Sequence, residues 1–163
     1  LIYLPYLMGE RSPLLDPSAR GVFFGLSAIH TKYDMLRAVM EGVIYSQREC
    51  LDILRGMGVV SSEMLACGGG GSSPFWRQMM ADVYGLPVKT VANKEGPALG
   101  AAILAGVGAG VYKSVPEACR QVIHVNPAQP PIGENHWQYE KYYEIYRSLY
   151  PALKESFSSL AAL

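Results

Sequence analysis

The sequence predicts an α/β fold built on a short parallel sheet. Three observations carry that prediction. Short strand-like runs alternate with helical patterns along the chain. A run of four glycines, 68–71, sits between one such strand and the helix after it. Half of the 163 residues are hydrophobic and 17% are charged, a composition that folds rather than stays disordered.

Taken in order, residues 1–20 read as a loop, from the turn residues Gly9, Pro13, Asp16, Pro17 and Ser18. "GVFFGL", 21–26, is a short aromatic strand bounded by glycines. Asp34 is read as the cap of a helix that runs to about Met57. Met35, Val39, Val43, Cys50, Leu54 and Met57 are expected to form its buried stripe, and Gly56 and Gly58 end it.

"EMLAC", 63–67, is a second strand. Ser73 and Pro74 then suit the cap and first turn of a helix to residue 84, which Gly85 stops. "VKTV", 88–91, is a third strand, and Pro97 opens a helix over "PALGAAILAGVGAG". Ser114 and Pro116 start a short helix to Val122, and "NPAQPPIGEN", 126–135, is a linker or surface loop. A last helix runs from His136 to Leu160 and is expected to break near Pro151.

Composition excludes several functions. The 14 basic and 14 acidic residues give a formal net charge of zero, which argues against nucleic acid or an anionic membrane held by bulk charge. No apolar run is long enough for a membrane span. Cys50, Cys67 and Cys119 show no metal-ligand spacing and read as free thiols of a reducing cytoplasm. His30, His124 and His136 are scattered and read as surface residues, so no metal site is expected. The chain begins on "LIYLPYLMGER" without an initiator Met, which leads to the expectation that it is part of a longer protein.

The glycines raise the question of function. In open α/β sheets ligands lie outside the C-terminal ends of strands. A helix N-terminus offers free N–H groups to an anion, and glycine lets backbone approach a ligand closely. One reading is therefore a nucleotide or phosphate-bearing ligand on this turn; the other is a tight turn whose glycines serve packing alone. It is not a P-loop, because no Lys-Ser/Thr pair follows. The dinucleotide fingerprint also fails, because Ser73 or Pro74 stands where its third glycine would be.

Longer patterns carry a resemblance. "GVFFGLSAIHTKYDMLRAVMEG", 21–42, resembles a signature of the FGGY carbohydrate kinases. "CGGGGSSPFWRQMMADVYGLPV", 67–88, resembles that family's glycine motif, and "EGPALGAAILAG", 95–106, its next helix. "LPYLMGERSPLLDPSARG", 4–21, and "YEKYYEIYRSLYPALK", 139–154, resemble the xylulokinase form. The resemblance implies an ATP-dependent sugar kinase with the ribonuclease H-like domain of the actin-like ATPase fold, present here in part. Residues 1–163 would be the later part of its C-terminal, nucleotide-binding domain, with the N-terminal sugar-binding domain absent. It implies ATP and Mg2+ as cofactors, D-xylulose or a related polyol as substrate, and the absent domain as partner. The base and metal carboxylates would lie upstream, so no catalytic residue and no activity is expected of this stretch alone. Gluconokinase, ribulokinase and a non-catalytic actin-like nucleotide-binding module are the alternatives.

Carried over, the resemblance places Gly69 and Gly70 along the ribose and α-phosphate, and Ser73 near the adenine or simply as a helix cap. Arg11 and Arg20 would steady phosphate charge or pair with Glu10 or Asp16. Asp82 and Glu41 are expected to be structural, and Gly96 to lie near the pocket wall. Tyr139, Tyr142, Tyr143, Tyr146 and Tyr150 form a helical stripe for packing or for a homodimer contact. The compartment expected is the cytoplasm.

Overall fold

The computed structural model describes residues 1–92 and 96–163. In chain order it contains β1 (Ile2–Leu4), β2 (Val22–Phe24), α1 (Lys32–Gly56), β3 (Met64–Ala66), α2 (Gly68–Ser72) and α3 (Pro74–Tyr84). There follow β4 (Val88–Thr90), α4 (Gly96–Gly108), α5 (Val115–Val122) and α6 (Gly133–Ala161). Glu95, the first residue of the 95–106 motif, lies outside the described residues. The chain divides into two compact units, residues 1–61, 82–85 and 131–163, and residues 62–81 and 86–130.

In the first unit β1 pairs antiparallel with β2, Ile2 opposite Phe24 and Leu4 opposite Val22. This corrects two expectations: residues 2–4 are a strand rather than loop, and the pairing here is not parallel. β1 forms because α1 comes against it with almost no side chain between. A Cβ at Gly42 would overlap the Tyr3 carbonyl.

The cap of α1 is Thr31, and Asp34 is its N3 residue. Thr31 accepts the Tyr33 N–H while Asp34 Oδ2 accepts the Thr31 N–H at 2.7 Å. The two residues make a capping box. At the other end Gly58 takes φ +89°. Its N–H reaches Arg55 O, and the Val59 N–H reaches Leu54 O, a Schellman turn.

The expected stripe of α1 is also corrected. Ala38, Gly42, Tyr45, Arg48 and Leu51 are buried, whereas Leu54 and Met57 are exposed. Small residues admit β1, and Arg48 is buried because its charge is matched. Its guanidinium donates to Asp52 and Glu140 at 2.9 Å each and to the Val83 carbonyl.

α6 continues through Pro151 instead of breaking there. Tyr146 and Leu149 before the proline and Phe157 after it are all buried, so one packed face holds the helix across it. Most of the tyrosine stripe packs inside this unit. Tyr45 contacts the rings of Tyr139, Tyr143 and Tyr146 at centroid distances of 6.3, 5.8 and 5.2 Å. The Tyr146 hydroxyl bonds that of Tyr6 at 2.8 Å. Tyr142 is exposed, and Tyr150 donates to Asp16 Oδ2.

In the second unit β3 and β4 are parallel, Met64 beside Val88 and Ala66 beside Thr90. Met79, Met80, Ala81, Val88, Ile103 and Ala118 are buried. Ser114 caps α5 by accepting the Glu117 N–H. Part of the expected linker is ordered against β4. Bridges at Val91–Val125 and Val88–Gln129 lay residues 125–129 antiparallel along its edge.

Candidate functional site

The site develops from the C-terminal ends of β3 and β4, where a parallel pair leaves room for a ligand. A cavity of about 520 Å³ opens there. It is lined by Cys67, the backbone of Gly68, Gly69 and Gly71, Ser72 and Arg77, with Thr90, Val91, Ala92, Gly96 and Asn126 opposite. The glycines, expected as a turn between strand and helix, form a single helical turn, α2. Gly68 enters it at φ +75°, a conformation that favours glycine.

Each glycine then has a different neighbourhood. A Cβ on Gly69 would meet no atom of the described residues within 4 Å, and Gly69 lines the cavity. A Cβ on Gly70 would lie 2.9 Å from the Trp76 ring, so this residue is where the turn packs on α3. A Cβ on Gly71 would lie 2.8 Å from the Ala66 carbonyl, so the turn sits directly on the end of β3. Ser73 caps α3: its hydroxyl accepts the Trp76 N–H at 3.3 Å. Of the residues singled out from sequence, Gly69 and Gly96 line the cavity, whereas Gly70 and Ser73 support it from behind.

Three polar residues at the cavity were not singled out from the sequence. Arg77 donates to the Gly71 carbonyl at 2.6 Å. Asn126 donates its backbone N–H to Thr90 O and its side-chain N–H to Thr90 Oγ1, both at 2.8 Å. The Thr90 hydroxyl therefore keeps its proton to donate, and Asn126 Oδ1 keeps its lone pairs to accept. A donor and an acceptor side by side suit the polar edge of a nucleoside. Arg77 supplies the one cation among the described lining residues. Its signal was present in the sequence. A cation in the first turn of a helix opposes the helix dipole and needs a local reason.

The cavity lining carries no carboxylate among the described residues. Nor, among the described residues, do three His, Cys, Asp or Glu side chains gather as a metal site. Asp82 is buried and structural: it accepts the Ile132 N–H at 2.7 Å and the Asn135 amide at 2.8 Å. Glu41 pairs with Arg37 and accepts the Tyr139 hydroxyl. Arg20 donates to the carbonyls of Pro17 and Ala19, not to Glu10 or Asp16. Those two carboxylates instead take backbone N–H groups of Arg11, Ser12 and Ser18.

A family model for the C-terminal domain of the FGGY family of carbohydrate kinases matches residues 1–109. The chain belongs to the FGGY family of carbohydrate kinases. A xylulose kinase of Staphylococcus epidermidis is 39% identical over all 163 residues, and this chain covers 33% of it. A xylulose kinase of Escherichia coli is 39% identical over 153 residues, 93% of this chain and 31% of that protein. Among solved structures, a ligand-bound xylulose kinase from Lactobacillus acidophilus superposes with TM-score 0.89 at 32% identity, covering 98% of this chain and 32% of that one. A gluconate kinase from the same organism gives TM-score 0.88, also at 32% identity, covering 98% of this chain and 32% of that one. This FGGY chain thus spans about a third of the relatives it matches and carries part of their actin-like ATPase fold. No helix among the described residues is long and apolar enough to cross a membrane.

Proposed function

We propose that this chain is the later part of the nucleotide-binding domain of an ATP-dependent sugar kinase, and that it supplies the nucleoside-binding wall. The whole enzyme moves the γ-phosphoryl group of MgATP to a primary hydroxyl of D-xylulose. The observation that carries this reading is the open face of Gly69 on a cavity at the ends of two parallel strands, in a chain of the carbohydrate-kinase family. A side-chain-free backbone there lets a ribose lie flat against the turn. Arg77 adds positive charge beside it, and Thr90 and Asn126 offer a hydroxyl donor and a carbonyl acceptor. Gly70 and Ser73 serve the same wall indirectly, one through Trp76 and the other through the cap of α3.

Phosphoryl transfer depends chiefly on positioning and charge neutralisation. The base, the carboxylates for Mg2+ and the sugar site are assigned to the remaining two thirds of the polypeptide, which is also this chain's partner. The compartment is the cytoplasm, where the three free thiols stay reduced.

The test is a coupled ADP-release assay on the full-length protein with D-xylulose, D-gluconate and L-ribulose. Turnover of roughly 1–100 per second on D-xylulose, and none by residues 1–163 alone, is expected. The likeness to a gluconate kinase supports a second reading, in which D-gluconate is the preferred substrate. Absence of ADP release with every sugar would overturn both.

A further inference from the structure

We propose that Arg77 is the positioning residue of the nucleotide wall: it clamps the glycine turn onto the end of β3, and so fixes the backbone on which the nucleoside lies. The proposal rests on the nucleotide reading above. A turn of four glycines and a serine does not hold itself together. Glycine is among the poorest helix formers, and five residues are too few for cooperative helix formation. Two bonds at the end of α2 are long: Ser73 N–H to Gly70 O is 3.3 Å and Ser72 Oγ to Gly68 O is 3.4 Å.

Gly71 is the buried point of the turn, seated on the Ala66 carbonyl. Its own carbonyl belongs to the last turn of α2, where intrahelical partners run out. Arg77 Nη1 meets that carbonyl at 2.6 Å, a short charge-assisted bond. Arg77 is the fourth residue of α3, where its charge opposes the helix dipole. The Gly71 carbonyl is the counterpart that makes the position tolerable. Held from both sides, by β3 beneath and by Arg77, Gly71 leaves Gly69 facing the cavity.

A clamp and a direct phosphate contact make different predictions. The full-length protein is titrated calorimetrically with adenosine, ADP and D-xylulose, as wild type, Arg77→Met and Arg77→Lys. A clamp acts on the wall itself. Arg77→Met should therefore lose adenosine and ADP by the same factor, about tenfold for one charged hydrogen bond. D-xylulose affinity should not move. Arg77→Lys, which keeps an N–H donor, should recover part of the loss. Loss of ADP with adenosine unchanged would make Arg77 a phosphate ligand and overturn the assignment. So would unchanged affinity for both nucleotides, or equal loss of all three ligands in both variants, which would make Arg77 a residue of the fold alone. Failure of the wild type to bind either adenosine or ADP would remove the nucleotide reading itself.

Discussion

Substituting Gly69 and Gly71 by alanine separates the ligand wall from its support. Both residues are helical, so each alanine gains about 0.5–1 kcal/mol of helix stability over glycine. At Gly69 nothing among the described residues opposes that gain, because the new methyl meets none of their atoms within 4 Å. At Gly71 the methyl would stand 2.8 Å from the Ala66 carbonyl oxygen and 3.0 Å from its carbon. Backbone cannot step aside as a flexible side chain does, and such overpacking costs about 1–3 kcal/mol. The helix term cancels between the two variants. Their stabilities should therefore differ by the clash alone, about 1–3 kcal/mol, with Gly69→Ala the more stable. Binding should separate from stability. The methyl of Gly69→Ala projects into the cavity and should weaken ADP roughly 5- to 150-fold by the same steric range. Denaturant melts without ligand, then calorimetry with ADP, read the two effects. A Gly69→Ala protein less stable than Gly71→Ala, or one that binds ADP as tightly as wild type, would refute the reasoning.

Three further outcomes are expected. Glu49 Oε2 is buried and has no hydrogen-bond partner among the described residues, and burial raises its carboxyl to about 7 against the attraction of Arg147, with Tyr6, Glu10, Asp52 and Tyr146 also close. The folded state then holds a proton that the unfolded state releases, so stability is lost as pH rises from the usual carboxylate range through 7. Glu49→Gln should flatten that slope in urea midpoints measured across the window, and parallel wild-type and variant curves would contradict it. Gly42→Ala should cost about 3 kcal/mol or more, because its methyl overlaps the Tyr3 carbonyl; a melt within 1 kcal/mol of wild type would remove the contact from the account. Ser73→Ala should lose about 1 kcal/mol with the cap of α3, and Ser73→Asp should retain most of it. Equal melts for the two variants would show that the cap contributes nothing.

The elements that announce themselves locally were legible in the sequence. Ser73-Pro74 before α3, Ser114 before α5, Gly58 after α1 and Gly85 after α3 each carry their own capping or turn chemistry. What was not legible depends on residues distant in sequence. β1 is three residues long and forms only with β2 and the bare backbone at Gly42 beside it. The buried face of α1 was misplaced because hydropathy ranks Leu54 above Arg48. The arginine is inside because Asp52, Glu140 and the Val83 carbonyl surround it. Pro151 obeys packing rather than propensity.

The candidate site divides in the same way. The glycines pointed to it, but their distinct roles did not show: Gly69 faces the cavity, Gly70 faces Trp76 and Gly71 faces β3. Thr90 and Asn126 are 36 residues apart and meet only because residues 125–129 pair along β4.

The central claim is that a nucleoside lies on the glycine turn, and a crystal structure of the full-length protein with ADP tests it most directly. The ribose is expected against Gly69, with Thr90 Oγ1 and Asn126 Oδ1 within hydrogen-bond distance of the nucleoside and Arg77 still on the Gly71 carbonyl. ADP bound elsewhere, with this cavity holding only solvent, would contradict it.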